Sequence, residues 1–478
     1  MVFQNNVLAG AAGSGTDTYA IDQSIRFNQA DSPYMEKTYS GDGSRTTWSF
    51  SFWMKLGKSP PYNTSRANPL IVYNTTSGAQ EDIRIEGTNQ QLQWYTHNDG
   101  GSGTLADLKT TQYLRDHSAW YHILCVADRT NAVSSERQRI YINGQRVTDF
   151  ATETYPSQNA EGHVGKSADV HYIGSRAGNV NTRLDGYMAE IVYIDGTALD
   201  PSSFGEYNSS NIWVPKDVSG LTFGTNGFHI DGRDSADLGD DESGNGNDYT
   251  TSGLAAHDQM PDTPTNNQIT FNPLNNQRSG GSPSNGNLDY VGPGTRTNIS
   301  LTANIPSTGK WAIAYKVAQV STGSGWQIGI STASDPDFGD AAGSNEDLDL
   351  VRMQTTSSDL SCFDAVNSTG IDPSLPVTTS DEFWVAVDMD SGKVFLGIYD
   401  ASDTSMKFVA NDAGLDGNPS TGDNPTVTFT TTQMPRDDVV FAVGSKQTSQ
   451  YIYLQRSTDV SGTTPTGFTY FENVKDLI

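Results

Sequence analysis

Glu190 and Asp195, in the run AEIVYID, are the best-placed pair of carboxylates on a strand-like segment of the chain. Hydrolysis of a glycosidic bond needs two carboxyl groups about 5–10 Å apart on either side of a sugar. A separation of five residues puts these two on opposite faces of a strand, and Asp195 falls in a turn with Gly196. The pair does not suit that chemistry, and Glu190, alternating with Ile191, is expected on a solvated outer face. His97, His117, His122, His163, His171, His229 and His257 are scattered, and no GxSxG elbow accompanies them. His122, alone in a strand, reads as a packed side chain rather than a base. No catalytic residue is assigned, and the chain is expected not to be an enzyme.

Metal and phosphate chemistry find little support. The run GDDESGNGND at 239–248 is rich in oxygen ligands but lacks the 1-3-5-12 spacing of an EF-hand. A structural calcium ion and a plain polar turn both stay open there; no other cofactor is expected. No Cys/His cluster suits zinc. Gly100, Gly101 and Gly103 lack the Lys-Ser/Thr of a phosphate loop and read as a loop tip. Binding chemistry fares better. Trp94 and Tyr95, followed by His97, Asn98 and Asp99, combine aromatic faces with hydroxyl-binding groups, the make-up of a sugar site. The same residues also read as a core Trp, a sheet-face Tyr and a hairpin end. Trp326 with Asp335, Asp337 and Asp340, in a loop that runs on to Asn345, is a second candidate.

Composition narrows the partners. The 478 residues hold 29 Lys+Arg against 56 Asp+Glu, a net charge of −27. A nucleic-acid surface should be basic, so nucleic acid is excluded as a partner, and an anionic membrane equally. No stretch approaches the 18 apolar residues of a spanning helix. Cys125 and Cys362 are too few for a disulfide scaffold and are expected to be separate, reduced, buried thiols. The start MVFQNNVLAGAAG lacks a secretory pattern, so assembly in a cytoplasm is expected.

The elements that must position these residues have period two. Trp48, Phe50, Phe52, Met54 and Leu56 alternate with smaller or polar residues, predicting a strand with one face in a core. The run 121–127 is apolar on both faces, as for a central strand. Asn143–Gly144 between 139–142 and 145–147 predicts a tight hairpin. Further strands are predicted at 187–194, 311–315, 326–330, 383–389, 393–399, 439–443 and 451–454. One short helix is predicted over 199–207, with Asp200 as cap and Pro201 at its first position. Residues 235–287 are poor in apolar residues and read as an irregular connector with a strand-like island at 269–271. The prediction is therefore all-β: two β-sandwich (jelly-roll) domains in tandem. The domains are an N-terminal segment 1–20, a sandwich 21–218, a Gly/Asn-rich connector 219–295 and a sandwich 296–478.

WSFSFWMKL at 48–56, WYHILCVAD at 120–128, RIYINGQRV at 139–147 and the stretch 172–204 resemble the laminin-G-like, concanavalin-A-like jelly roll. That resemblance implies sugar binding, and it adds weight both to a calcium ion near the binding edge and to a polysaccharide-cleaving alternative. GKWAIAYKV at 309–317, GWQIGIS at 325–331 and FWVAVDMDSGKVFLGIY at 383–399 resemble a SPRY sandwich, whose loops carry recognition. With MVFQNNVLAG, IDQSIRF, SGNGNDYT and MPDTPTNN, the chain resembles tail-fibre and other surface proteins of marine bacteriophages. The resemblance implies a virion protein that recognises host surface glycan, with decoration of head or tail as the alternative. Residues 1–20, carrying Val2, Phe3, Val7 and Leu8, would dock on another virion protein or a sister chain. A trimer is the expected oligomer, built without a coiled coil because no heptad repeat appears.

Overall fold

The run TWSFSFWMKL is buried along nearly its whole length, which already requires cover on both sides of the strand it forms. The computed structural model describes residues 19–57, 66–86, 90–98, 103–209, 211–277, 281–292, 297–320, 326–332, 351–356, 359–364, 369–430, 439–445 and 450–473. Among these no α-helix occurs, and the chain is all-β, built from antiparallel sheets with one short parallel pairing. It divides into two compact units, Met1–Gln268 and Ile269–Ile478.

In chain order the first unit contains β1 (Ser24–Phe27), β2 (Tyr34–Lys37), β3 (Thr47–Leu56), β4 (Arg66–Tyr73), β5 (Gln80–Glu86) and β6 (Gln91–His97). There follow β7 (Thr104–Tyr113), β8 (Tyr121–Asp128), β9 (Gln138–Ile142), β10 (Gln145–Arg146), β11 (Phe150–Thr154), β12 (Val170–Gly174) and β13 (Gly186–Asp195). Short strands β14 (Gly205–Tyr207), β15 (Trp213–Pro215), β16 (Phe228–Ile230), β17 (Thr250–Ser252) and β18 (Gln259–Met260) complete it. One sheet runs β10-β9-β8-β3-β13-β1-β18, with β16 beside β13; the other runs β11-β7-β6-β5-β4-β12-β2-β17. Their facing sides supply the core: Trp48, Phe50, Phe52 and Met54 from β3 meet Leu70, Ile83, Trp94 and Leu108 from the second sheet. The predicted hairpin is present. Asn143 and Gly144 adopt φ 49° and 75°, and a Cβ on Gly144 would fall 2.4 Å from the Trp213 ring.

The first sheet is apolar outside as well. Leu124, Val126, Val192 and Ile194 are covered by Phe204, Val218 and Phe223. The predicted helix over 199–207 is instead one 3-10 turn, Pro201–Ser203, followed by β14, which pairs with β15. Pro201 starts a single turn as predicted; pairing with β15 takes the next residues into a strand.

The polar stretch read as a connector from 219 differs most from the sequence reading. β16 pairs with β13, β17 with β2 and β18 with β1, so residues up to Gln268 complete the first unit. Buried polar bonds hold this segment. Lys55 Nζ donates to Asp262 Oδ2, Asn267 Oδ1 and the Gln268 carbonyl, each at 2.9 Å. Trp120 Nε1 donates to Asp262 Oδ1 at 3.0 Å.

The second unit is also two sheets. The predicted strands around Trp326 and 439–443 lie in one, and those at Lys310–Val317, Glu382–Asp388, Lys393–Asp400 and Tyr451–Leu454 lie in the other. Trp326 and Phe383 meet edge to face between them, with centroids 4.4 Å apart. Cys125 and Cys362 are buried free thiols, as predicted.

Candidate functional site

The second sheet of the first unit differs from the first in its outward face. Side chains alternate along β5 and β6, so Ile83, Ile85, Leu92 and Trp94 enter the core while Asp82, Arg84, Gln93 and Tyr95 point the other way. Register lines them up across strands: Ile71, Asp82, Tyr95 and Asp107 in one row, Arg84, Gln93 and Lys109 in the next. Arg66, Glu86, Gln91 and Tyr113 close one end; Tyr73, Gln80 and His97 close the other. Along β6 the face extends for about 20 Å.

These side chains are tied to one another. Arg84 Nη1 donates to Asp82 Oδ2 at 3.0 Å, its Nε lies 2.9 Å from Glu86 Oε1, and its Nε and Nη2 reach Gln93 Oε1 at 3.1 and 2.9 Å. Gln93 Nε2 donates to Asp107 Oδ1 at 2.6 Å, which fixes the orientation of its amide. Asp82 Oδ2 also accepts from Gln80 Nε2 at 2.8 Å and from Arg66 at 3.4 Å. Asp82 is fully buried, and this burial pushes its carboxyl up to about 6 against the opposing pull of Arg84 and Arg66. Its Oδ1 is buried without a partner, so Asp82 is out of reach of a substrate proton. Three tyrosines of the face each carry a guanidinium over the ring: Arg84 at 4.9 Å from Tyr95, Arg115 at 4.2 Å from Tyr113 and Arg176 at 4.1 Å from Tyr73. At the far edge of the same face lies an open polar depression of about 360 Å³, lined by Glu36, Lys37, Thr38, Val170, Asp248 and Thr250.

The residues singled out in the sequence are distributed differently from the expectation. Trp94 is a core residue that packs on Trp48 and donates from Nε1 to Glu81 Oε1 at 2.9 Å, so it cannot stack on a ligand. Tyr95 is on the face, with Arg84 beside its ring, His97 edge-on at 5.0 Å and its hydroxyl 3.1 Å from Thr104 Oγ1. Burial lowers the His97 imidazole pKa. Asn98 is exposed at the strand end. Asp99 lies outside the described residues, as do Asp335, Asp337, Asp340 and Asn345; Trp326 is buried in the second unit. Sequence reasoning missed Asp82, Arg84 and Gln93. The alternation of QEDIRIE at 80–86 carries their signal, because Asp82, Arg84 and Glu86 occupy every second position opposite Ile83 and Ile85, with Glu81 the one charged residue on the core side.

Other polar clusters are committed to structure. The expectation of a solvated Glu190 is corrected. β13 is bulged between Ala189 and Val192, with Glu190 at φ 47°, and the carboxylate is buried on the outer side of the sheet against His229 Nε2 (3.1 Å) and Tyr19 Oη (3.0 Å). Asp195 accepts from the amides of Ser44 and Asn226, so neither acid of the predicted pair faces an open site. Ser51 Oγ lies 2.8 Å from His122 Nε2, a spacing that invites comparison with a nucleophile and its base. Trp213 Nε1 donates to His122 Nδ1 at 3.0 Å, so Nδ1 is the acceptor, the proton sits on Nε2, and His122 donates to Ser51 rather than activating it. In the run 239–248, Asp241 accepts from the amides of His229, Ser243 and Asn247 and from Ser243 Oγ. Both Asp241 oxygens are thus engaged within the turn, and among the described residues no group of three or more His, Cys, Asp or Glu is placed to hold a metal.

Residues 30–202, just over a third of the chain, match a laminin-G-like model of the concanavalin A-like lectin/glucanases superfamily. The match supports a laminin-G-like, concanavalin-A-like jelly-roll domain over these residues. Among solved structures the chain is similar to domains LG4–5 of the mouse laminin alpha1 chain (8% identity, 95% of this chain and 86% of that one, TM-score 0.29). It is also similar to the SPRY domain of human HERC1 (11%, 39% and 98%, TM-score 0.26). A third is domain 4 of AbnA, a GH43 extracellular arabinanase from Geobacillus stearothermophilus, in complex with arabinotriose (15%, 34% and 67%, TM-score 0.25). No curated protein matches the chain in sequence.

Proposed function

We propose that the chain recognises carbohydrate without cleaving it, through the outward face of the β5–β6–β7 region, and that it does so on the exterior of a bacteriophage particle. One observation carries the binding reading: a concanavalin-A-like jelly roll presents a face of amides, guanidinia and carboxylates held in fixed orientations by mutual hydrogen bonds. Such pre-ordering lowers the entropy lost when a polyhydroxylated ligand docks. The non-cleaving reading is supported by the acids themselves, since Glu190, Asp195 and Asp82 are all committed to internal partners. The particle setting rests on the sequence resemblance, and with it docking of residues 1–20 on other virion proteins and a trimeric assembly.

The test is binding of the purified chain to host-cell polysaccharide, beside Arg84→Ala and Gln93→Ala. Retention that falls at least tenfold in either variant, without release of reducing ends, is the expected result. Equal retention by both variants removes the face from the account, and release of reducing ends removes the non-cleaving reading. Antibody labelling of intact particles tests the setting: surface labelling is expected, and no labelling contradicts it.

A further inference from the structure

We propose that the polymer taken by this face is uncharged, and that Asp82 is the positioning residue that makes it so; the inference rests on the binding reading above and names its ligand class. Around Asp82 the face holds three cations, Arg66, Arg84 and Lys109, and three carboxylates, Asp82, Glu86 and Asp107, while Arg115 and Arg176 lie over Tyr113 and Tyr73 further out. Arg84 is already engaged by two of those carboxylates, at 3.0 and 2.9 Å, and Arg66 shares Asp82 at 3.4 Å. A uronate or sulfate at Arg84 would compete with the Asp82 and Glu86 carboxylates already paired with it, and it would approach a chain of net charge −27. Hydroxyl groups face neither obstacle: they donate to Asp107 and Gln93 and accept from the guanidinium N–H groups without displacing a carboxylate.

Asp82 sits at the centre of this balance. Being buried, it does not touch ligand; it holds Arg66, Arg84 and Gln80 through one oxygen and cancels charge beneath them. Replacing it with Asn removes the carboxylate that Arg66 and Arg84 share, leaves Arg84 paired with Glu86, and turns the charge balance around position 82 positive. The inference therefore predicts a change of selectivity, which a merely structural residue would not produce.

The experiment is affinity electrophoresis of the full chain in gels containing laminarin, galactomannan or starch, against alginate or dextran sulfate. The expected result is retardation by at least one neutral polymer, insensitive to 0.05–0.5 M salt, and none by the anionic pair. Asp82→Asn should weaken neutral retardation about tenfold and gain salt-sensitive retardation by dextran sulfate. Glu86→Gln, at a half-exposed site, should move both in the same direction if Asp82→Asn fails to fold. Retardation of the wild-type chain by the anionic polymers alone overturns the uncharged-ligand inference and leaves the binding reading standing. Retardation by none of the five overturns both. Loss of neutral binding in both variants without any gain for dextran sulfate overturns the role given to Asp82.

Discussion

Asp262→Ala should unfold the first unit at a much lower temperature. Asp262 pairs with the buried Lys55 ammonium at 2.9 Å, beside the neutral Asn267 Oδ1 and Gln268 carbonyl. Removing it takes the Asp262 counter-charge from a buried ammonium and the acceptor from Trp120 Nε1 and the Gln268 amide. Breaking one partner of a buried ion pair costs about 3–5 kcal/mol. For a unit of this size each kcal/mol moves the midpoint by about 2–4 °C, so the transition should fall by roughly 6–20 °C. Differential scanning calorimetry of the full chain reads this. The double variant Lys55→Met with Asp262→Leu should recover most of the loss, because an apolar pair of similar volume replaces the ions at little net cost. A midpoint shift below about 2 °C in Asp262→Ala would refute the claim that residues up to Gln268 are an integral part of the jelly roll.

Three further outcomes follow from the same geometry. Trp94→Ala should lose about 3–5 kcal/mol in chemical denaturation, since it empties a core position and removes one donor from the buried Glu81 carboxylate. Hydrogen bonding to Glu190 raises the His229 pKa in spite of burial. That contribution is complete below the unfolded value near 6.5 and is lost as pH rises through the folded one, so the stability gap between wild type and Glu190→Gln should narrow above about pH 6.5 in melting curves. Asp82 has the opposite sign: its folded pKa near 6 lies above the unfolded value of 3.8, so stability falls as pH rises between those values, by roughly 3 kcal/mol. Asp82→Asn should flatten that part of the stability–pH profile.

The sequence was most legible where a local rule suffices. β3 and the Asn143–Gly144 hairpin follow from alternation and from two residues that tolerate positive φ. Residues 219–268 were opaque because their strands are two or three residues long, too short for a period, and β17, β18 and Asp262 are held by partners more than 200 positions away, such as Lys55. Glu190 was misplaced because a bulge and cover from Phe204, Pro215 and Val218 decide its burial, and neither is encoded next to it. At the site, Tyr95 was read onto the face correctly as one alternative, while Asp82 and Arg84 were overlooked. Their alternation is visible in β5, but which of its faces meets the core is settled only by pairing with β4 and β6.

Hydroxyl-radical footprinting with mass spectrometry tests the location of binding most directly. Tyr113, on the proposed face, is 40% exposed; Tyr207 and Tyr451, elsewhere, are 41% and 38% exposed and serve as matched controls. With the neutral polymer that retards the chain most strongly, Tyr113 should lose most of its reactivity while Tyr207 and Tyr451 keep theirs. Protection of Tyr207 or Tyr451 with Tyr113 unchanged would contradict the account.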